Sequence, residues 1–245
     1  MFNRHFLSLC VGLHCALVAA QAHAGISLSA TRLVFDADHK EVSIKVRNNG
    51  DDLLIQSWID GESEAAPAPF AVTPPLARIM AKEQQLLRVI YEGAGMPTDK
   101  ESVVWLNVQE IPQAAKTTNT LQLAVRQRIK VFFRPAGLAS RAYSAPAQLL
   151  WQLGEQQGHP VLKISNPSLY HVSLSEVAVH SDSSTEHPVD SMMITPGETK
   201  TLALKQATRS NYSSVNFSII NDYGAQDRYV ATFSGASAVS GKAVQ

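Results

Sequence analysis

The chain of 245 residues carries only two cysteines, Cys10 and Cys15, and both fall within its first 24 residues. Beyond that point there is none, which excludes a disulfide framework and thiolate metal or redox chemistry there. An excess of charge of either sign is missing too. The 21 basic and 21 acidic residues cancel, which argues against holding nucleic acid by bulk charge. There is no nucleophile-elbow serine motif, no paired-histidine zinc helix and no phosphate-cradling glycine loop. A chain that is not an enzyme and takes no cofactor is therefore expected. No stretch sustains a helical stripe.

The one long hydrophobic run lies at the start. Arg4 precedes an apolar segment over 6–20, and Ala22-His23-Ala24 sets small residues two apart before Gly25. This is the layout of a secretory leader, 1–24, cleaved on export. The run is too short to span a bilayer comfortably, so no membrane insertion is expected after cleavage. An exported chain without disulfides must draw its stability from cores and domain packing. The bacterial periplasm is the compartment that fits.

What remains, with 45% hydrophobic and 17% charged residues overall, is the composition of a folded protein. Val42, Ile44 and Val46 alternate with Glu41, Lys45 and Arg47, the pattern of a strand with one wet face. Asn48-Asn49-Gly50 reads as a turn, and 53–59 returns as a strand. Pro67, Pro69, Pro74 and Pro75 confine their region to loop or short edge strands. Strands over 85–91, 103–108 and a long one over 121–133 bring the count to about seven, as in an immunoglobulin-like sandwich. The second half repeats the style over 161–164, 172–179, 201–204, 215–220 and 229–233. The fold class is thus all-β, with domains 25–140 and 141–235 and a flexible tail, 236–245.

His180, Asp182, Glu186 and His187 are the one compact group with metal-ligand chemistry. They sit in a run that reads as a flexible loop, so no metal site is expected. In the long strand Arg126, Arg128 and Lys130 share one face, while Leu121, Leu123, Val125 and Ile129 share the other. A solvated face suffices for Arg126 and Arg128. Alternation alone does not separate a buried core row from an edge strand awaiting a partner.

One segment is more specific: Asp99-Lys100-Glu101-Ser102 followed by Trp105-Leu106-Asn107-Val108-Gln109-Glu110-Ile111-Pro112. With Thr31-Arg32-Leu33-Val34-Phe35, Thr73-Pro74-Pro75 and Arg128-Ile129-Lys130-Val131-Phe132-Phe133-Arg134-Pro135, it resembles the periplasmic pilus-assembly chaperones of the chaperone–usher pathway, the PapD-like family. The second half matches through Ile164-Ser165-Asn166-Pro167, Ile194-Thr195-Pro196-Gly197 and Ile220-Asn221-Asp222-Tyr223-Gly224. The resemblance implies two immunoglobulin-like sandwiches in an L-shaped arrangement. It implies capture and capping of pilus or fimbrial subunits by donor-strand complementation, and delivery to an outer-membrane usher without ATP. Arg32 and Lys130 match the anchor for the subunit's C-terminal carboxylate, a role for which Arg32 alone gives no sign. Leu121, Leu123, Val125 and Ile129 match the donated apolar row. Glu101, Arg134 and Asp222 match an inter-domain charged cluster. Thr73, Pro74 and Pro75 match a loop near the subunit-binding face, where a plain structural turn serves equally well. The eight residues between Pro112 and Leu121 resemble the short-loop branch of the family. An exposed edge of this kind is also a hazard for self-association of the free protein. The competing class is an exported immunoglobulin-like adhesin or pilus subunit, which would lack the Arg32 and Lys130 pair and a complete final strand.

Overall fold

A computed structural model describes residues 25–61, 67–113, 119, 121–138, 141–181, 184–205, 212–235 and 237–244. Residues 1–24, expected to be a leader, and most of the 113–120 loop, on which the short-loop expectation rests, lie outside the described residues.

In the first half the strands are β1 (Ile26–Leu28), β2 (Arg32–Asp36), β3 (Glu41–Asn48), β4 (Leu53–Asp60), β5 (Phe70–Thr73), β6 (Leu76–Ile79), β7 (Gln84–Tyr91), β8 (Ser102–Pro112) and β9 (Arg126–Arg134). They form two sheets, β1-β3-β7-β5 and β2-β9-β8-β4-β6. The proline-flanked segments β5 and β6 are sheet edges, where a missing N–H costs no ladder bond. Inward residues of both sheets meet in one core, and Phe35, Phe70, Tyr91 and Phe133 cluster at its end with ring centroids 4.7–6.2 Å apart. Such tilted and edge-on pairs add to area burial.

The second half contains β10 (Leu150–Gln156), β11 (His159–Ser165), β12 (Val172–Ser181), β13 (Thr185–Val189), β14 (Met192–Ile194), β15 (Thr199–Ala203), β16 (Tyr212–Ile220), β17 (Gln226–Thr232), β18 (Val239–Ser240) and β19 (Lys242–Ala243). Its sheets run β15-β11-β10-β18 and β13-β12-β16-β17-β19, with β14 also on β12. Trp151, fully buried, packs on Phe217 at 4.6 Å and anchors the core between them. A single α-helical turn, Ala145–Gln148, precedes β10; β10 itself is hidden to alternation because Leu149 and Leu150 break the period.

The two halves share a corner device. Asn48, fully buried, donates its side-chain amide to the carbonyls of Asp51, Ile79 and Met80 and accepts from the Gly50 N–H. Asn166 does the same for Tyr170, Ile194 and Thr195, and accepts from Ser168. Each plugs backbone groups that a turn would otherwise leave orphaned.

Two expectations change. The strand expected over 121–133 begins in fact at Arg126; 121–125 makes no ladder beyond the Glu110 N–H donated to Val125 O at 3.0 Å. The cause is its neighbour: β8 ends on Pro112, whose nitrogen has no hydrogen to extend the pairing. The tail expected to be flexible is instead paired, β18 on β10 and β19 on β17, so it ties the two sheets of its domain together. Gly241 lets the chain cross, since a Cβ there would sit 2.6 Å from the Phe217 ring. Truncation after Gly235 is expected to cost about 1–2 kcal/mol, a fall in Tm of roughly 5–10 °C for a domain of this size. An unchanged melting curve would show that this strap carries no stability.

Candidate functional site

The candidate site begins at β9. Residues 130–134 pair in parallel with β2, Arg32 opposite Lys130. Upstream, 126–129 pair with β8 on one side only, and no described strand occupies the other side. That leaves a lane beside β9 that is open as far as Arg32 and then filled by β2.

The inward positions along this segment lose their cover step by step. Phe133 and Val131 are buried and Ile129 is half-buried against the domain's own core. Val125 is 46% exposed, Leu123 72% and Leu121 84%. The apolar row thus runs out past the end of the sandwich that should bury it. Gln127, the polar member of the row, donates its side-chain amide to Ile26 O at 2.9 Å.

Arg32 and Lys130 stand side by side where the lane ends. The Arg32 guanidinium donates to Ile220 O at 2.8 Å, so it already reaches the second domain. Its Nε is buried and has no hydrogen-bond partner among the described residues. Burial lowers the Arg32 pKa, with Asp222 and Glu101 partly offsetting it. Burial also lowers that of Lys130, and the adjacent Arg32 charge adds to the effect. Lys130 Nζ lies 5.8 Å from the Trp105 ring centre and Arg128 Cζ 4.4 Å from it. Two half-buried cations side by side repel each other, and an anion bridging them would relieve both.

Behind them the structure brings Glu101, Arg134 and Asp222 together. Arg134 Nε donates to Glu101 at 2.7 Å, and its two terminal nitrogens donate to the two oxygens of Asp222 at 2.8 Å each. Burial opposes the Arg134 charge, but the bonds to Asp222 and Glu101 outweigh it and raise the pKa. Glu101, 2% exposed, also accepts from the His171 backbone N–H at 2.8 Å and lies 2.9 Å from its Nδ1. Its own N–H donates to Leu169 O. His171 is the member that the sequence did not reveal, because a lone histidine before a strand has no distinguishing pattern.

Comparison with known proteins identifies the family. A model described as the pili and flagellar-assembly chaperone PapD N-terminal domain matches residues 25–139, and the pili assembly chaperone PapD C-terminal domain matches 144–231. The chain belongs to the PapD-like pilus-assembly chaperones. Among its relatives is the probable fimbrial chaperone YadV of Escherichia coli K12, 37% identical over 91% of this chain and 96% of that protein. The chaperone FimC of the same strain is 34% identical over 85% of this chain and 84% of its own length. Solved structures include YadV, with a TM-score of 0.74 over 86% of this chain and all of that one at 34% identity. Another is the Salmonella enterica SafB chaperone in complex with the SafA pilin, with a TM-score of 0.73 over 87% and 99% at 25% identity. This chain is accordingly a fimbrial chaperone built of two β-sandwich domains.

The remaining sequence-derived positions fall elsewhere on the chaperone. Thr73 ends β5 and joins Pro74 through a cis peptide bond, and Pro75 O accepts from the Ser57 N–H at 2.8 Å, so the turn is tied to β4. His180 lies 2.9 Å from Thr185 Oγ1, while Glu186 accepts from the Lys205 N–H and the Tyr212 hydroxyl; Asp182 lies outside the described residues. No group of three or more metal-ligating side chains occurs among the described residues.

Proposed function

We propose that this chaperone captures an incomplete pilus subunit in the periplasm by lending it the open lane of β9, caps it, and passes it to an outer-membrane usher. The observation that carries the reading is the exposed row Leu121, Leu123 and Val125 leading toward Arg32 and Lys130. A subunit strand laid in the lane would pair its backbone with 121–129, an instance of strand addition at a sheet edge. The donated row would fill the subunit's open core, each aliphatic side chain contributing about 1.5–3 kcal/mol.

The charges choose the direction. A strand parallel to β9 would bring its C-terminal carboxylate to Arg32 and Lys130; an antiparallel one would bring an ammonium, which two cations reject. The anchored carboxylate also sets register, because a slip by one residue turns every apolar side chain the wrong way.

Leu123→Glu tests the reading. Co-expressed with a fimbrial subunit, the variant is expected to lose co-purified subunit by at least about tenfold, while its own melting temperature stays within roughly 2 °C of the parent. The reasons are that the charge would have to enter a dry groove, whereas the residue is open to water in the free protein. Equal loss of stability and capture would place Leu123 in the chaperone's own core and end the proposal.

A further inference from the structure

A cavity of about 170 Å³ adjoins Arg32. It lies between the end of β9, the linker around Tyr143 and the turn that joins β16 to β17. Its walls are largely apolar, from Phe132, Pro146, Val172 and Ile219, with Tyr143 and Tyr223 among its lining. Apolar cavities of about 150 Å³ hold one benzene ring, so this one has room for a single aromatic side chain.

The frame around it is fixed. Asn221 Oδ1 accepts from the backbone N–H groups of Tyr223 at 3.1 Å and Ala225 at 3.0 Å, which pins the turn. Gly224, at φ +83, packs against the first domain so closely that a Cβ would lie 2.7 Å from Thr31 Oγ1. Tyr223 is thus presented at a set distance from its neighbour Arg32 while being 96% exposed, and Tyr143 is 75% exposed. Two uncovered tyrosines beside an apolar hollow, one of them on a pinned turn, offer large ring contacts with few side-chain torsions to order on binding. Among the charged groups of the lining, Arg134 is engaged with Glu101 and Asp222, and Asp227 accepts from the Asn221 amide, while Arg32 keeps a buried Nε without a hydrogen-bond partner among the described residues. With Arg32 given to the terminal carboxylate, an acidic side chain would find no second open cation in the hollow, which therefore favours an apolar guest over an acidic one.

We infer that this cavity receives the last side chain of the subunit whose C-terminal carboxylate is held at Arg32 and Lys130, and that it prefers an aromatic ring. The inference rests on the anchoring reading above. A strand lying in the open lane ends where β2 begins, at Arg32, and the cavity shares Arg32 as a wall. The terminal residue is the one group of such a strand that can reach both the cations and the hollow. Tyr143 and Tyr223 would then set which C-terminal residues the chaperone accepts.

The test uses fluorescein-labelled peptides of about 14 alternating apolar and polar residues, ending in Phe, Ala or Asp, each as free acid and as amide. Binding to the full mature protein is read by fluorescence anisotropy. The Phe acid is expected to bind about tenfold tighter than the Ala acid, with the Asp acid no better than Ala. Tyr223→Ala and Tyr143→Ala should each reduce the ratio of Phe-acid to Ala-acid affinity to below about threefold. Equal binding of Phe and Ala acids, with amides still weak, would overturn the cavity assignment and leave the anchor standing. Amides binding as well as acids, or no acid binding at all, would overturn the anchor and this inference with it.

Discussion

Lys130→Ala is expected to abolish subunit capture while leaving the free chaperone as stable as the parent or slightly more so. The two halves of that result have one cause. Burial beside Arg32 lowers the Lys130 pKa, so the charged form is disfavoured in the free protein. An amine whose pKa is lower folded than unfolded binds fewer protons in the folded state through the interval between the two values. Stability therefore rises with pH across that interval, which ends at the ordinary lysine value. Lys130→Ala should lack this rise. In the proposed anchor the same charge becomes the reason for binding, and removing one partner of a semi-buried, hydrogen-bonded pair costs about 3–4 kcal/mol. That is roughly two to three orders of magnitude in affinity. Capture by the parent should weaken as alkaline pH deprotonates Lys130. Subunit retained at parental levels by Lys130→Ala would sink the anchor.

Arg32→Ala should also lose capture but with a different signature. Its guanidinium holds Ile220 O across the domains, so its removal frees a carbonyl as well as an anchor. Loss of stability is expected there and not at Lys130. Comparing the two variants separates the anchoring role from the architectural one.

The sequence made the strands legible wherever one face of a sheet is wet, because Val42, Ile44 and Val46 then alternate with charges. It was less legible where the environment changes along one strand. The row from Leu121 to Phe133 is continuous in sequence, yet its exposure rises from 3% at Phe133 to 84% at Leu121; periodicity reports the face, not what covers it. The tail shows the opposite failure. Small polar residues have no pattern that marks pairing, so β18 and β19 were invisible until the Phe217 ring under Gly241 explained the crossing. At the site, Glu101, Arg134 and Asp222 were found through their resemblance to a family, since residues 33 and 88 positions apart share no local signal. His171 escaped even so, being held mainly by its backbone N–H.

That cluster makes the strongest demand on the free protein, and Arg134→Ala is expected to be the most destabilising of the substitutions considered. Glu101 is a carboxylate at 2% exposure whose charge is met by Arg134, with the His171 backbone N–H donating to it and His171 Nδ1 2.9 Å away. Taking Arg134 away leaves that charge buried and half-satisfied, which costs about 3–5 kcal/mol. Asp222→Ala provides the contrast. Its side chain is 41% exposed, and partly solvated pairs contribute at most about 1 kcal/mol, so a loss of that size or less is expected although two hydrogen bonds disappear. Arg134→Ala combined with Glu101→Gln should recover part of the loss, because the amide carries no charge to strand. Urea unfolding of the three variants, followed by tryptophan fluorescence, measures the order. Since Trp105 lies in the first domain and Trp151 in the second, a split into two transitions in Arg134→Ala would show the domains uncoupling. Equal losses in Arg134→Ala and Asp222→Ala would mean that the burial of Glu101 does not govern the cluster. The joint between the domains would then rest on its exposed arm, against the argument from desolvation.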